Sequence, residues 1–385
     1  MGAYSRYSRA FSGLRTPFAF VDLELFDRNA EALVKRASPF PIRVASKSIR
    51  CVELMKRVLS MPGFSGVLCY SGWEAVYLAS QGLQDLVVAY PIVQKAEILA
   101  VIASIRAGAQ ISLMVDRLEH LEILNAAAVD ASLVIPVVLD FDLANHWAFL
   151  FFGARRSWIS SAERLSQILD QLTKCSALKL DGVMGYEAQI AGVSDRTPLY
   201  RFLKARAQSH VFQARGEWVK QVQARGHSLR FVNGGGTGSI ESTKRDESVT
   251  EIAVGSGLFS PTLFDHYENF HHLPAAGFAL SVTRKPETEI ATCFSGGYVA
   301  SGSAGNEKLP SPFLPEGLKL LPNEGAGEVQ TPVSGAKDLK IGDFVFFRHA
   351  KAGEFCERFE ELQLIEANGS LRHTPTYRGA GKNFG

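Results

Sequence analysis

Three stretches carry residues whose types and spacing can do chemistry. The first is RVASKSIR (43–50), where one lysine, Lys47, follows a short apolar run and stands between two serines. The second is NGGGTGS (233–239) and the third is VGSGLF (254–259). A primary amine at the exit of a buried segment can capture an aldehyde covalently. Glycine-rich turns let backbone N–H groups come close to an anion. A lysine at a strand exit is more often an ordinary surface residue, and a triple-glycine turn more often only a tight turn. Their joint meaning depends on which elements present them.

Those elements follow from the apolar pattern. IRVAS (42–46), GVLCY (66–70), DLVVAY (85–90), QISLMVD (110–116), IPVVLDFD (135–142), DGVMGYEA (181–188), RFVNGGG (230–236) and EIAVGSGLF (251–259) are short, β-branched and not strictly alternating. Such runs read as strands buried on both faces, as in parallel sheets. Between them, stretches such as CVELMKRVLS and AERLSQILDQLTK repeat apolar residues at helical spacing. A longer helix is expected over 199–226, ending at Gly226. Eight strands with intervening helices predict an α/β fold with a (β/α)8 TIM-like barrel, whose usual size is about 250 residues. After residue 275 the texture becomes β-runs and turns, with Asn368-Gly369 as a hairpin signal. The expected domains are therefore a barrel over 16–275 and an all-β domain over 276–385. The strand-like segment at 16–26 either pairs with the second domain or leads into the first barrel helix.

In such a barrel, functional groups gather at the C-terminal ends of the strands, and phosphate sites often lie in the loops after strands seven and eight. Lys47 then ends strand one, and the two glycine-rich stretches end strands seven and eight. An amine opposite a phosphate cradle suits a phosphate-bearing aldehyde. Pyridoxal 5'-phosphate (PLP) has both features and binds lysine as a Schiff base. NGGGTGS does not keep dinucleotide-fingerprint spacing, and no acidic residue in a ribose-binding context follows it.

Composition excludes other classes. The 385 residues carry a net charge of +2, which gives no argument for nucleic acid or a membrane surface. No apolar run is long enough to span a bilayer, and the N-terminus lacks the continuous apolar core of a signal peptide. The five cysteines are odd in number and scattered, with no disulfide framework or zinc ribbon implied, so cytoplasm is the expected compartment.

MGYEAQIAG (184–192), FVNGGGTGS (231–239), GSGLFSPTLFDHY (255–267), GGYVASG (296–302), EGAGEVQTP (324–332) and FRHAKAGEFCERF (347–359) carry a closer likeness. Across nearly its whole length the chain resembles fold-type III PLP enzymes, the alanine racemase superfamily. Within it, the resemblance is to the D-threonine aldolase and D-serine dehydratase branch and to bacterial proteins described as amino acid deaminase/aldolase. The resemblance implies that Lys47 is the Schiff-base lysine. It implies that Gly235, Gly236 and Thr237, with Ser256 and Gly257, hold the phosphate. It places Arg156 of GARRS near the cofactor ring, with Arg155 as fallback, and Tyr186 at the end of strand six beside it.

One departure matters. That branch uses a His-x-Asp or His-x-Cys pair to bind a divalent metal, and here the stretch reads His349-Ala350-Lys351. Either Lys351 replaces the metal with a fixed cation, or a metal is held by His349 with Cys356 or Glu354; the first is favoured. The resemblance implies a lyase on D-configured 3-hydroxy amino acids, with His349 taking the 3-hydroxyl proton in a retro-aldol step. Dehydration to a 2-oxo acid and ammonia stays open, as does racemisation, for which Tyr298 and Tyr377 are the tyrosines at hand. A PLP carrier without turnover is the alternative of another class. A homodimer is expected.

Overall fold

The computed structural model describes residues 2–147, 150–192 and 198–385, with side chains at 146, 147, 150 and 200 left aside. The first strand, β1 (Phe18–Asp22), belongs to the sheet formed by the C-terminal part of the chain. The barrel begins with β2 (Ile42–Ala45) and continues through β3 (Phe64–Cys69), β4 (Leu86–Val88), β5 (Ile111–Val115) and β6 (Ile135–Asp140). A short antiparallel pair, β7 (Asn145–Trp147) and β8 (Leu150–Phe152), interrupts it. β9 (Leu178–Gly185), β10 (Phe231–Gly234) and β11 (Glu251–Val254) complete it, and β11 pairs with β2 to close eight parallel strands. All eight expected strands form, within a few residues of their predicted bounds.

The barrel closes because its strands have apolar side chains for both faces. Leu68, Val87, Met114, Val138, Met184 and Phe231 form one cluster. Gly182 on β9 is required there, since a Cβ would come within 2.7 Å of the Phe231 ring on β10. At the N-terminal ends of the strands the filling is ionic. Arg43 on β2 is 1% exposed and donates to Glu251 Oε1 at 2.6 Å and Oε2 at 2.9 Å. It also pairs with Asp85 at 3.1 Å. Arg230 joins Asp85 (2.8 Å) to Asp181 (2.6 Å), and Ser112 donates to Asp181.

The second sheet comprises β1 with β12 (Ala276–Glu287), β13 (Ile290–Phe294), β14 (Ser311–Leu314), β15 (Lys319–Leu320), β16 (Gln330–Ser334), β17 (Phe344–Arg348), β18 (Glu361–Ile365) and β19 (Leu371–Pro375). Its pairings are antiparallel except β1 with β18. The segment at 16–26 thus supplies an internal strand of this sheet. Tyr7, Phe11, Phe18, Phe20 and Phe346 pack together on one face of it. β18 and β19 form the hairpin signalled by Asn368-Gly369, with Gly369 at φ +82°.

By spatial proximity the chain divides into two units. One contains residues 34–46 and 55–255, with the last two residues. The other contains residues 1–33, 47–54 and 256–383. The lysine-bearing segment therefore groups with the C-terminal sheet rather than with the strand it follows. No helix of the described residues is long and apolar enough to cross a membrane.

Candidate active site

Within the barrel unit, the C-terminal ends of the strands collect the expected residues. β10 runs into Gly235 and Gly236. Gly235 adopts φ +83°, and a Cβ there would meet Ile252 at 2.9 Å. This turn is held by a network that the sequence did not announce. Glu187, just past β9, is 1% exposed. It accepts from the Gly235 N–H at 3.0 Å and from the Thr243 hydroxyl. Arg215, fully buried, donates to Glu187 (2.8 Å), to Asp246 (2.6 Å) and to the Gly185 carbonyl (2.9 Å). The Gly236 N–H donates to Ser239 Oγ at 3.1 Å, and Arg36 donates to the Thr237 carbonyl at 2.8 Å. A triple-glycine turn needs such ties, because glycine has the most backbone entropy to lose.

Arg156 is placed by the segment that crosses β6. Ser157 Oγ donates to the Asp140 carbonyl, and Phe141 bridges to Ile159. The Arg156 guanidinium then lies 5.5 Å from the Tyr186 ring and 6.0 Å from the Tyr90 ring, within cation–π range. Burial raises the Tyr186 phenol, so it stays protonated. Arg155 turns to Phe151 instead, 4.0 Å from its ring. Beside Arg156, burial and then Asp116 push the Asp140 carboxyl well above the usual range, and Arg156 only partly offsets them.

In the other unit, Lys47 is exposed although its neighbours Ser46, Ser48 and Ile49 are buried. Several ties fix its turn. Ser48 and Ser256 share a hydroxyl hydrogen bond at 3.0 Å. Arg50 pairs with Glu357 at 2.6 Å, and the Tyr377 N–H donates to the Arg50 carbonyl. Cys356 Sγ donates to the Ile49 carbonyl at 3.3 Å. Gly353, at φ +87°, lies against Lys47 so closely that a Cβ would be 1.9 Å from the lysine carbonyl oxygen. Gly257, next to Ser256, is buried.

The same loop carries His349. Arg348 at the end of β17 forks onto Asp265 (2.7 and 2.8 Å) and donates to the Ser260 carbonyl. The Thr262 N–H donates to the His349 carbonyl at 3.1 Å. The imidazole is 2% exposed and stacks on Phe355 at 4.4 Å. Among the described residues neither ring nitrogen has a hydrogen-bond partner. Burial pushes its pKa down to about 3, with Arg348 adding to the effect, so the ring is neutral. Lys351 donates to the Ser301 carbonyl at 2.8 Å, and Glu354 accepts from the Ser301 N–H at 2.8 Å. Burial lowers the Lys351 pKa, then Lys308; Glu354 opposes, and Lys47 lowers it further.

Cys356 is buried, and burial holds its thiol well above the usual value. Among the described residues no three His, Cys, Asp or Glu side chains converge as a metal set. Within each unit the residues suit PLP: in one, an exposed amine that has no ion pair among the described residues; in the other, a glycine turn that a Cβ would fill and an arginine beside two phenols. Tyr298 is half-buried, with its hydroxyl on Ser295 Oγ at 2.9 Å, and Tyr377 is buried.

Sequence reasoning missed Glu187, Arg215 and Asp140. Arg215 did leave a signal. It falls on the apolar stripe Val211, Ala214, Trp218 and Val222 of the helix Pro198–Ala224, where a charge must find buried partners.

Comparisons with known proteins bear on the family and the fold. The family model of the alanine racemase N-terminal domain matches residues 21–262. A 3-hydroxy-D-aspartate aldolase of Paracoccus denitrificans (strain Pd 1222) is 25% identical over 250 residues, 64% of this chain and 61% of the relative. A D-threonine aldolase of Arthrobacter sp is 25% identical over 248 residues, 63% and 61% of the two chains. The match thus spans 61% of the length of these curated relatives. Among solved structures, D-threonine aldolase from Filomicrobium marinum superposes with a TM-score of 0.81 at 17% identity, covering 95% of both chains. D-threo-3-hydroxyaspartate dehydratase from Delftia sp. HT23 gives 0.79 at 18% identity, covering 94% of this chain and 98% of the other. These likenesses show the fold.

Proposed function

This chain belongs to the alanine racemase N-terminal domain family, and on that premise we propose that it is a PLP-dependent lyase cleaving D-configured 3-hydroxy amino acids to an aldehyde and glycine or a related amino acid. The observation that carries the reading is Lys47: in the run 42–49 every other residue is buried, and the lysine alone is exposed. In this reading Lys47 holds the cofactor's aldehyde carbon. Gly235, Gly236, Thr237, Ser256 and Gly257 hold its phosphate, with Gly235 supplying the turn while its N–H stays on Glu187. Arg156 and Tyr186 line its ring.

PLP supplies an electron sink for the pair left at the α-carbon when a bond to it breaks. The chain's residues choose the bond. His349, neutral and without a hydrogen-bond partner on either nitrogen among the described residues, accepts the proton of the 3-hydroxyl as the Cα–Cβ bond breaks. Both nitrogens are closed to solvent, so the reading requires the ring to present one of them when substrate is bound. Lys351 serves as a fixed cation for the substrate's hydroxyl or carboxylate in place of a metal. Its half-buried ammonium and the engagement of Cys356 and Glu354 elsewhere support that choice. Lys47 would hold the cofactor between turnovers. The five free cysteines support a reducing compartment, the cytoplasm, and a homodimer completes the reading.

The test is spectral and chemical. Purified protein with PLP shows the yellow absorbance of lysine-bound cofactor, and Lys47→Ala abolishes it. D-threonine yields acetaldehyde and glycine, and EDTA leaves the rate unchanged. Absence of the absorbance overturns the PLP reading. Activity lost to EDTA and restored by Mn²⁺ makes His349 a ligand instead. A 2-oxo acid product makes the enzyme a dehydratase, and inversion without cleavage a racemase. Light scattering at one protomer mass overturns the dimer.

A further inference from the structure

Within the barrel unit, a cavity of about 620 Å³ opens at the ends of β4, β5 and β6. Tyr90, Arg117, His120, Asp140, Arg156 and Arg164 line it, together with Trp158. We propose that this cavity is a subsite for a second carboxylate on the substrate, so that the enzyme prefers acidic 3-hydroxy amino acids to neutral ones. The proposal rests on the lyase reading above and specifies the side chain that reading leaves open.

The charge inventory argues for an anion. Three guanidiniums face the space, and two of them, Arg156 and Arg164, have no ion pair among the described residues. Arg117 pairs with Glu119 at 3.2 Å, and both are well exposed. The acidic residues do not balance these cations. Asp116 is engaged by His120 Nδ1 at 3.1 Å. Asp140 has no side-chain hydrogen bond among the described residues. Burial beside Asp116 favours its protonated form, which donates to a carboxylate rather than repelling it.

The cations are also held in place. Arg117 and Arg164 lie 5.2 and 5.1 Å from the Trp158 ring, and Arg164 donates to the Trp158 carbonyl (3.1 Å) and to Ser160 Oγ (2.7 Å). Arg156 is held by Tyr90 and Tyr186. Stacked guanidiniums lose little further freedom when they accept a planar carboxylate bidentately. The cavity falls within the range of ligand pockets, roughly 300–1,000 Å³. That is far more room than the methyl group of a small neutral substrate requires.

Two measurements test this. The first is calorimetric titration of the PLP-loaded enzyme with malate and with lactate at equal ionic strength. Malate should bind about tenfold or more tightly than lactate, and Arg164→Gln and Arg117→Gln should each narrow the difference. The second is the ratio of kcat/KM for D-3-hydroxyaspartate to that for D-threonine. It should exceed one in the wild type and fall about tenfold or more in Arg164→Gln. Equal binding of malate and lactate, or a ratio unmoved by both variants, overturns the subsite. Failure to cleave either amino acid overturns the lyase reading, while the calorimetry still decides the subsite.

Discussion

His349 is a neutral imidazole stacked on Phe355 with no hydrogen-bond partner among the described residues, and that state has a cost that varies with pH. Its folded-state pKa, about 3, lies below the ordinary 6.5, so the folded protein binds fewer protons than the unfolded chain between these values. The contribution to stability is complete above about pH 6.5 and is lost as pH falls toward 3. Lowering the pH from 7 to 5 should remove roughly 2 kcal/mol on this account. Urea denaturation at the two pH values checks it: His349→Phe should lose less stability than the wild type over the interval. Identical losses would show that the imidazole does not titrate in this window.

Among the elements, the glycine turn after β10 depends most on distant support. Gly235 is held by Glu187, Glu187 by Arg215, and Arg215 sits mid-helix on a stripe of apolar residues. Arg215→Met leaves Glu187 and Asp246 buried without their cation. It should cost about 3–5 kcal/mol and weaken PLP retention on dialysis. A variant as stable as the wild type in urea, with full cofactor retention, would remove Arg215 from this role.

This dependence also explains what was legible in the sequence. All eight barrel strands, the long helix ending before Gly226 and the β18–β19 hairpin could be read, because each is encoded locally by apolar spacing or turn chemistry. The internal place of β1 in the C-terminal sheet could be posed only as one of two options, since its partners lie more than 250 residues away in β12 and over 340 away in β18. Lys47 and the glycine stretches stood out by residue type and position, and Arg156 and Tyr186 only through the family resemblance. Glu187 and Asp140 did not, because their environments come from side chains that only the closed barrel brings together.

In the whole molecule, the two ends of the barrel have different chemistry. The N-terminal ends of the strands carry the network of Arg43, Asp85, Asp181, Arg230 and Glu251, remote from the glycine turns and from Arg156. Charge at that end of a barrel serves stability. Arg43→Met should destabilise the protein by about 3–5 kcal/mol, because it strands Glu251 in a buried position. The double variant Arg43→Met/Glu251→Leu should recover part of that loss, since removing both charges leaves neither unpaired. Denaturation midpoints of the three proteins measure this, and a double variant less stable than the sum of its parts would contradict it.

The grouping of residues 47–54 with 256–383 bears on how this chain can be taken apart or recombined. Gly353 lies on the Lys47 carbonyl, Cys356 on that of Ile49, and Tyr377 on that of Arg50. A gene truncated after residue 255 would encode the amine but none of the residues that clamp its turn. Grafting the C-terminal sheet of another enzyme onto this barrel would face the same obstacle, because the graft would have to match eight residues near the start of the chain. Lys47 and the last third of the polypeptide are thus a single heritable unit, although some 200 residues separate them along the chain.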